Sequence, residues 1–314
     1  MAQLRSFDAA EINQLAPMAA AVSALRECFA HRPSHIARQH YAVAGGEFLL
    51  MPAVDASSAG IKLIMVQPKN AERGTPIIQG TYVLFDADAG SPIALLDGAA
   101  LTTVRTPAVS AVATDVLART DVTTLGIVGS GPQAFGHIEA MLCVRPSLTS
   151  IVLASRTSDN AKQLVDGLIA RGALPKGVSI RVGTYADAAR CDIVCTGTRA
   201  IEPIIDASMI APGTHINAVG SYRTDMRELS TDLVAASTVI VDEIQAAHDE
   251  AGDLALAVAD GGWAWDRVIG DLAAVASGLV RRRSDTEITL FKSVGLAVQD
   301  LVIARHVCAA AGLL

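Results

Sequence analysis

Residues 124–134 read TLGIVGSGPQA, and this stretch decides the fold of the second half of the chain. Its first five residues form an apolar run typical of a buried strand, and a helical pattern begins at Gln133. Further strand patterns follow, separated by helical or loop segments; they read SIVLAS, SIRVG, CDIVCTG, THINAVG and TVIVDE. Strands that alternate with helices form βαβ units, so we predict an α/β fold with a Rossmann-type, doubly wound parallel sheet.

The turn between this first strand and its helix has the G-x-G-x-x-A pattern of dinucleotide-binding sites. Gly129 allows the tight turn, Gly131 lets a pyrophosphate approach the backbone, and Ala134 lets the helix pack close to the strand. The alternative is a glycine turn with a purely structural role. The predicted cofactor site also includes the turns after later strands. Its residues in the first turn and the later turns together are Gly129, Gly131, Pro132, Gln133, Ala134, Thr196, Gly197, Thr198 and Gly220.

The end of the next strand indicates which nicotinamide cofactor is used. An NAD site carries an acid there for the ribose hydroxyl, whereas an NADP site carries a cation for the 2′-phosphate. The chain reads Ser155-Arg156-Thr157, which offers one cation and two hydroxyls. We therefore predict a preference for NADP(H), with NAD(H) as the alternative cofactor. The competing interpretation of Arg156 is an exposed arginine that binds no ligand.

The first hundred residues follow a different pattern. A helix is predicted over residues 8–30, with Asp8 as its cap, and short apolar strand segments follow at 47–51, 61–67, 81–85 and 93–96. Helical patterns return at 103–119 and 287–311. We expect an α+β domain over residues 1–115 with 288–314, and the dinucleotide-binding domain over residues 116–287.

Composition argues against several classes of partner and location. The formal net charge is −7 and the pI is about 5.5, which disfavours nucleic acids and anionic membranes as partners. The sequence shows neither a signal-peptide pattern nor an apolar run long enough to span a membrane. Five scattered cysteines are typical of reduced thiols, so we expect a cytoplasmic protein. His31, His35 and His40 have no Cys or Glu at metal-ligand spacing, and no metal site is predicted.

Two basic residues stand within apolar segments. Lys62 lies in the strand pattern GIKLIMV, and burying its ammonium is costly unless an anion or a carboxylate faces it. Its alternative is an edge-strand lysine that reaches solvent. Arg105 lies near the start of a helical pattern, where a cation opposes the helix dipole and an anionic ligand would relieve it. Its alternative is a plain surface arginine.

Asp225 follows the strand pattern THINAVG, in the loop RTDMREL over residues 223–229. In doubly wound sheets the residues just beyond the carboxyl ends of the strands line the ligand crevice. A carboxylate at this place could exchange a proton with a substrate beside a nicotinamide ring. The alternative is that Asp225 caps the helix that follows.

Several long stretches resemble the ornithine cyclodeaminase/μ-crystallin family, in family order and over nearly the whole chain. They read GIKLIMVQPKNAERGTPIIQG, LLDGAALTTVRTPAVSAVAT, LGIVGSGPQAFGHIEAML, ASRT, INAVGSYRTDMRELS, EAGDL and TLFKSVGLAVQD. The resemblance implies an N-terminal substrate and dimerisation domain, a Rossmann domain, and a C-terminal helix that returns to the first domain. It also implies a homodimer, a nicotinamide cofactor and a small amino- or imino-acid substrate.

The resemblance also implies roles for individual residues. By position in the motifs, Arg38, Lys62 and Arg105 resemble the family's ligands for the substrate carboxylate. The loop Arg223-Thr224-Asp225 resembles the Arg-Pro-Asp of the μ-crystallin and reductase branch, with Thr in place of Pro. Cyclodeaminases of the family carry a catalytic Asp where this chain has Tyr222, and an acid in place of Arg156.

These departures favour an NADPH-using reductase over a cyclodeaminase. We expect reduction of Δ1-pyrroline-2-carboxylate or Δ1-piperideine-2-carboxylate to L-proline or L-pipecolate, with Lys62 and Asp225 as the catalytic residues. Three alternatives stay open at this point. They are an ornithine cyclodeaminase with bound NAD, an alanine dehydrogenase, and a non-enzymatic protein of the μ-crystallin kind that binds NADPH and a small ligand.

Overall fold

The structure is a computed structural model that describes residues 4–314, apart from the side chain at position 71. Within these residues the strands, numbered in chain order, are β1 (Arg5–Phe7), β2 (Gln39–Val43), β3 (Gly46–Val54), β4 (Ser58–Val66), β5 (Ile78–Asp86), β6 (Pro92–Asp97), β7 (Thr124–Val128), β8 (Ser150–Ala154), β9 (Ser179–Val182), β10 (Ile193–Thr196), β11 (His215–Ala218), β12 (Thr238–Val241), β13 (Val268–Asp271) and β14 (Thr289–Lys292). The helices are α1 (Ala9–Leu15), α2 (Met18–Ala30), α3 (Gly98–Leu117), α4 (Gln133–Val144), α5 (Ser158–Ala170), α6 (Tyr185–Ala189), α7 (Thr231–Ala236), α8 (Ile244–Glu250), α9 (Gly252–Ala259), α10 (Leu272–Ala276) and α11 (Ala297–Ala310). None of the helices in the described part is long and apolar enough to cross a membrane.

The chain divides into two compact units. The first comprises Met1–Val109 and Leu296–Leu314, and the second comprises Ser110–Gly295. One boundary therefore falls within α3, and the other falls just before α11.

The first unit is built on a six-stranded sheet of order β1-β6-β5-β4-β3-β2. Only β1 is parallel to its neighbour among these strands, and the others pair antiparallel. Burial alternates along β4, so that Lys62 shares the buried face with Ile64 and Val66. Helix α11 packs against β3, β4 and β5, and α2 packs against α11. This arrangement places one face of α11 beside the buried face that carries Lys62.

The single helix predicted over residues 8–30 is two helices in the structure. Asp8 does cap the first one, accepting a hydrogen bond from the backbone N–H of Glu11, whose side chain accepts one from the Asp8 N–H. The helix ends at Leu15 because Pro17, two residues later, cannot continue it. The segment between the helices, Ala16-Pro17, turns the chain into α2.

The second unit carries an eight-stranded sheet of order β13-β12-β14-β11-β10-β7-β8-β9. All of its strand pairs are parallel, and most of its central strands are buried at every residue. Sheets of this kind are buried on both faces by the helices that connect their strands. The predicted Rossmann-type parallel sheet is confirmed.

The prediction of one helix over residues 287–311 is wrong for the first part of this range. Thr289–Lys292 is β14, a buried strand that pairs with both β11 and β12 in the second unit. A strand buried on both faces has no polar alternation, so its apolar residues fit a helical pattern equally well. The helix itself, α11, begins only at Ala297.

Candidate functional site

The glycine turn of the second unit has the geometry that a dinucleotide needs. Gly129 has φ of 118°, a value that favours glycine, and a Cβ there would stand 2.8 Å from the carbonyl oxygen of Gly197. A Cβ on Gly131 would meet no atom within 4 Å, so this backbone is open to a ligand. Helix α4 begins at Gln133, and Ala134 is buried against the sheet. The helix N-terminus presents N–H groups and a positive dipole end to phosphates.

A small cavity opens beside this turn, at the carboxyl ends of β7 and β10. Its lining residues are Ile127, Val128, Gly129, Gln133, Ala134, His137, Cys195, Thr196 and Gly197. The register pairs Thr196 with Val128, which brings the turns after the two strands together. Five of the predicted cofactor residues line this cavity, namely Gly129, Gln133, Ala134, Thr196 and Gly197.

The predicted 2′-phosphate residues follow β8. Ser155 is half-buried and its hydroxyl donates to the carbonyl oxygen of Thr157, whereas Arg156 and Thr157 are exposed. Burial raises the pKa of Tyr185, and the positive charge of Arg156 opposes this rise. Arg156 therefore presents its charge at the surface, near the Tyr185 ring.

Asp225 lies in the loop after β11 and is exposed. Its carboxylate accepts hydrogen bonds from the Arg223 guanidinium, which lower its pKa. The interpretation of Asp225 as a helix cap is wrong, because α7 begins at Thr231 with Ser230 at the cap position. Asp225 is thus a paired surface carboxylate that is ionised at neutral pH.

Lys62 is fully buried in the first unit and faces a carboxylate, as predicted for a buried ammonium. Its Nζ lies 2.7 and 2.8 Å from the two carboxylate oxygens of Asp300 and 3.1 Å from the hydroxyl oxygen of Thr102. Burial lowers the pKa of Lys62 from 10.5 to about 7; Asp300 opposes this shift, while the charges of Arg105 and Arg38 add to it. The lysine can therefore hold or release a proton near neutral pH.

Arg105 belongs to the same cluster. Its side chain is buried, its Nη1 donates to the Oε1 of Gln299 at 2.9 Å, and its Nε lies 3.7 Å from an oxygen of Asp300. Arg38 is half-buried and close enough for its charge to act on Lys62. The surface interpretation of Arg105 is therefore wrong. The structure thus brings Lys62 and Arg105 together at the carboxylate of Asp300, with Arg38 close to Lys62.

Sequence reasoning missed the residues of α11 in this cluster. Asp300 and Gln299 are both inaccessible to solvent, and the Nε2 of Gln299 has no hydrogen-bond partner among the described residues. The signal was present in the sequence, because Gln-Asp interrupts an otherwise apolar helical face in LAVQDLVIA. A buried acid calls for a basic partner, and Lys62 and Arg105 are the two basic residues that the sequence places within apolar segments of the first domain.

Two of the three histidines clustered in sequence, His31 and His40, have separate local partners. His31 contacts the carbonyl oxygen of Glu27 through Nδ1, and His40 pairs with Glu47 at 2.6 Å. Across the described residues, no three His, Cys, Asp or Glu side chains are grouped in a way that could hold a metal ion.

The fold and the glycine turn define a dinucleotide-binding protein with an added α+β unit. The family model described as "Ornithine cyclodeaminase/mu-crystallin family" matches residues 7–311, and the chain belongs to this family. The predicted resemblance, and the predicted class of family oxidoreductase, are confirmed.

Three individual proteins illustrate the similarity. A Δ1-pyrroline-2-carboxylate reductase of Bacillus cereus is 38% identical over 266 residues, covering 82% of this chain and 79% of that protein. The Δ1-pyrroline-2-carboxylate reductase of Thermococcus litoralis, in complex with NADH and L-proline, has a TM-score of 0.92 and 29% identity over 98% of this chain and 97% of its own. An archaeal alanine dehydrogenase dimer with bound NAD has a TM-score of 0.91 and 29% identity over 98% and 96%.

Proposed function

We propose that this protein reduces a cyclic imino acid, Δ1-pyrroline-2-carboxylate or its six-membered homologue, to L-proline or L-pipecolate. The observation that carries the proposal is the buried cluster of Lys62, Arg105 and Asp300, with Arg38 beside it. Similarity to reductases of Δ1-pyrroline-2-carboxylate supports the same substrate class.

The charges of the cluster suit a monoanionic substrate. Two basic side chains, Lys62 and Arg105, lie at the carboxylate of Asp300, and a substrate carboxylate would be a second anion for these cations. A guanidinium binds a carboxylate through two parallel hydrogen bonds, and Arg105 is already oriented by Gln299. Holding the carboxylate fixes the C=N bond next to it and makes the reaction effectively unimolecular.

Reduction of the imine requires one hydride at carbon and one proton at nitrogen. The bound nicotinamide supplies the hydride. In our proposal the proton comes from the ammonium of Lys62, whose pKa of about 7 allows donation near neutral pH. Lys62 must regain a proton before the next turnover, and Asp300 stabilises its charged form.

Asp225 does not act as the proton donor in this mechanism. Because Arg223 lowers its pKa, the carboxylate is ionised at neutral pH and can accept a proton or orient a cationic imine, but it cannot donate. We therefore assign the proton donor to Lys62 and keep Asp225 as a carboxylate that favours the protonated substrate.

The cofactor is proposed to be NADPH in preference to NADH. Gly129, Gly131 and the start of α4 would hold the pyrophosphate, and exposed Arg156 would pair with the 2′-phosphate. The structure of the Thermococcus litoralis relative contains NADH. The informative quantity for this chain is therefore the ratio of its activity with NADPH to its activity with NADH.

A cytoplasmic homodimer is the proposed form of the protein. The sheet face of the first unit opposite α11 is apolar and only half-buried; its residues include Phe48, Leu50, Ile61, Leu63, Met65, Val83, Phe85 and Leu95. An apolar sheet face of this size is typical of an interface with a second copy. Sedimentation of the wild-type protein and of the Leu63→Lys variant tests this proposal. If the wild type is a dimer, the variant should sediment as a monomer; if the wild type is a monomer, the variant should sediment in the same way.

The test of function is NADPH oxidation, followed by absorbance, with Δ1-pyrroline-2-carboxylate and Δ1-piperideine-2-carboxylate as substrates and NADH in parallel. Oxidation with either imine supports the proposal. No oxidation, together with ammonia release from L-ornithine and NAD⁺, would indicate a cyclodeaminase. Amination of pyruvate alone would indicate an alanine dehydrogenase. Tight NADPH binding without any turnover would indicate a binding protein.

A further inference from the structure

Glu228 is a buried acid that the proposed chemistry leaves without a role. Its side chain is inaccessible to solvent, and its carboxylate accepts four hydrogen bonds. The donors are the hydroxyl of Thr196 at 2.8 Å, the backbone N–H and hydroxyl of Thr198 at 2.7 Å each, and the backbone N–H of Gly220 at 2.8 Å. A buried carboxylate is stabilised only when its oxygens are satisfied in this way.

The four donors belong to the turns that follow two neighbouring strands. Thr196 ends β10 and Gly220 follows β11, and these strands pair in register. A Cβ on Gly220 would lie 2.2 Å from the carbonyl oxygen of Thr198 and 2.5 Å from Glu228 Oε1, so the turns are in close contact. Gly197, between the two threonines, touches the glycine turn at Gly129. Glu228 thus holds Thr196, which lines the cavity beside the glycine turn.

A second buried layer holds Glu228 itself. Asp253 accepts hydrogen bonds from the backbone N–H groups of Glu228 and Leu229, at 2.6 and 2.9 Å, and from the hydroxyl of Ser221. The ammonium of Lys292 lies 2.9 Å from Asp253 and donates to the carbonyl oxygen of Ser221 at 2.6 Å. This cation compensates buried negative charge, and the network runs from the end of β14 to the cofactor turns.

We propose that Glu228 is a positioning residue for the dinucleotide. It turns the N–H groups of Thr198 and Gly220 inward, and so sets the path of both turns at the carboxyl edge of the sheet, where nucleotides bind in doubly wound folds. Each carboxylate oxygen accepts one backbone N–H, and the amide of a glutamine would direct an N–H at one of these two donors. The inference rests on the proposed use of a dinucleotide and is independent of the substrate.

The test compares Glu228→Gln with a matched control at the opposite edge of the same sheet. Asp192 also accepts from two backbone N–H groups, those of Thr123 and Thr124, and from the hydroxyl of Thr124 and the guanidinium of Arg119. It precedes β10 and so lies at the amino ends of the strands. Asp192→Asn should therefore disturb the fold without reaching the cofactor turns.

NADPH affinity is measured by fluorescence of the bound cofactor with no substrate present. Glu228→Gln should weaken binding about ten-fold or more, because a backbone N–H that Glu228 accepts would be left without an acceptor, and Asp192→Asn should stay within about two-fold. Equal Kd values for the two variants would overturn the proposal. If Glu228→Gln does not fold, Thr198→Val removes one donor and should weaken binding by a smaller factor; unchanged binding would overturn the proposal.

Kinetics separate positioning from a general loss of folded protein. A positioning role predicts a raised KM for NADPH with kcat at saturating NADPH nearly retained, whereas partial unfolding lowers kcat alone. Tight NADPH binding without imine turnover would contradict the proposed reaction and leave this inference intact. Failure of the wild type to bind either nicotinamide would overturn both.

Discussion

Lys62 and Asp300 form an ion pair that is fully inaccessible to solvent, with the lysine Nζ within 2.8 Å of both carboxylate oxygens. Removing one partner of such a pair leaves an uncompensated buried charge. The pair joins a strand to a helix 238 residues away. It therefore serves both the packing of the first unit and the protonation of Lys62.

Asp300→Asn should shift the pH dependence of the reductase. Asp300 raises the pKa of Lys62, so its loss lowers that pKa further below about 7. If Lys62 acts as the protonated donor, kcat/KM falls as pH rises through this pKa, and the fall begins at lower pH in the variant. The control is Asp55→Asn, which removes the partner of Arg305 in the same unit and should leave the alkaline limb in place.

Lys62→Met should abolish imine reduction and leave NADPH binding unchanged. The methionine keeps an apolar side chain in the buried strand, while Thr102 and Asp300 lose their cationic partner. A loss of turnover of about a hundred-fold or more is expected for removal of a proton donor. Cofactor fluorescence and turnover are measured on one preparation; parallel loss of both would contradict the assignment.

Arg156→Ala should change the choice of cofactor. Loss of a guanidinium that pairs with the 2′-phosphate should raise the KM for NADPH about ten-fold and leave the KM for NADH nearly unchanged. Arg171→Ala is the matched control, since Arg171 is an exposed arginine at the other end of α5. Equal effects on both cofactors would argue against a 2′-phosphate site at Arg156.

Gly131→Val should remove dinucleotide binding without loss of the fold. A Cβ at this position meets no protein atom within 4 Å, so the first carbon of the added side chain fits without displacing the protein and stands where the backbone is open to a ligand. Gly126→Ala provides the contrast, because its Cβ would lie 2.0 Å from the carbonyl oxygen of Ala188 and must disturb the sheet. Thermal unfolding and NADPH titration of both variants check the expectation; a low Tm for Gly131→Val would count against it.

Two buried histidines predict that acid destabilises the second unit. Burial lowers the pKa of His137 to about 4 and that of His215 to about 3, so both stay neutral in the folded chain below pH 6.5, where the unfolded chain takes up protons. The free energy of unfolding should therefore fall as pH decreases from about 7 to about 5. Urea unfolding measures this slope. It should be shallower in His137→Gln, which removes one of the two buried histidines.

The architecture of the second unit was predictable because local signals agree there. The strand at 124–128, the glycine turn and α4 each have their own sequence pattern. In the structure α4 begins at Gln133, the residue predicted for the start of the helix. The strand β14 was not predictable, since TLFK is buried throughout and its neighbours in the sheet are distant in sequence.

The polar networks were the least predictable part of the candidate site. Lys62 could be recognised as a buried cation in need of a partner, but nothing in sequence joins it to Asp300. Glu228 and Asp253 sit in stretches that look like ordinary helix-flanking acids, and their burial follows from tertiary packing alone. Asp225 lies in the loop after β11, as predicted, but its ion pair with Arg223 could not be predicted from the sequence.

The discontinuity of the first unit has a consequence for synthesis on the ribosome. Its sheet is translated early, yet the helix that covers it, α11, lies at the end of the chain. Domains usually fold as units during translation, N-terminal first. Here the second unit is complete at Gly295, before the counter-ion of Lys62 has been made. We therefore expect the Rossmann unit to fold first, and chains truncated before Ala297 to leave the nascent sheet uncovered and dependent on chaperones.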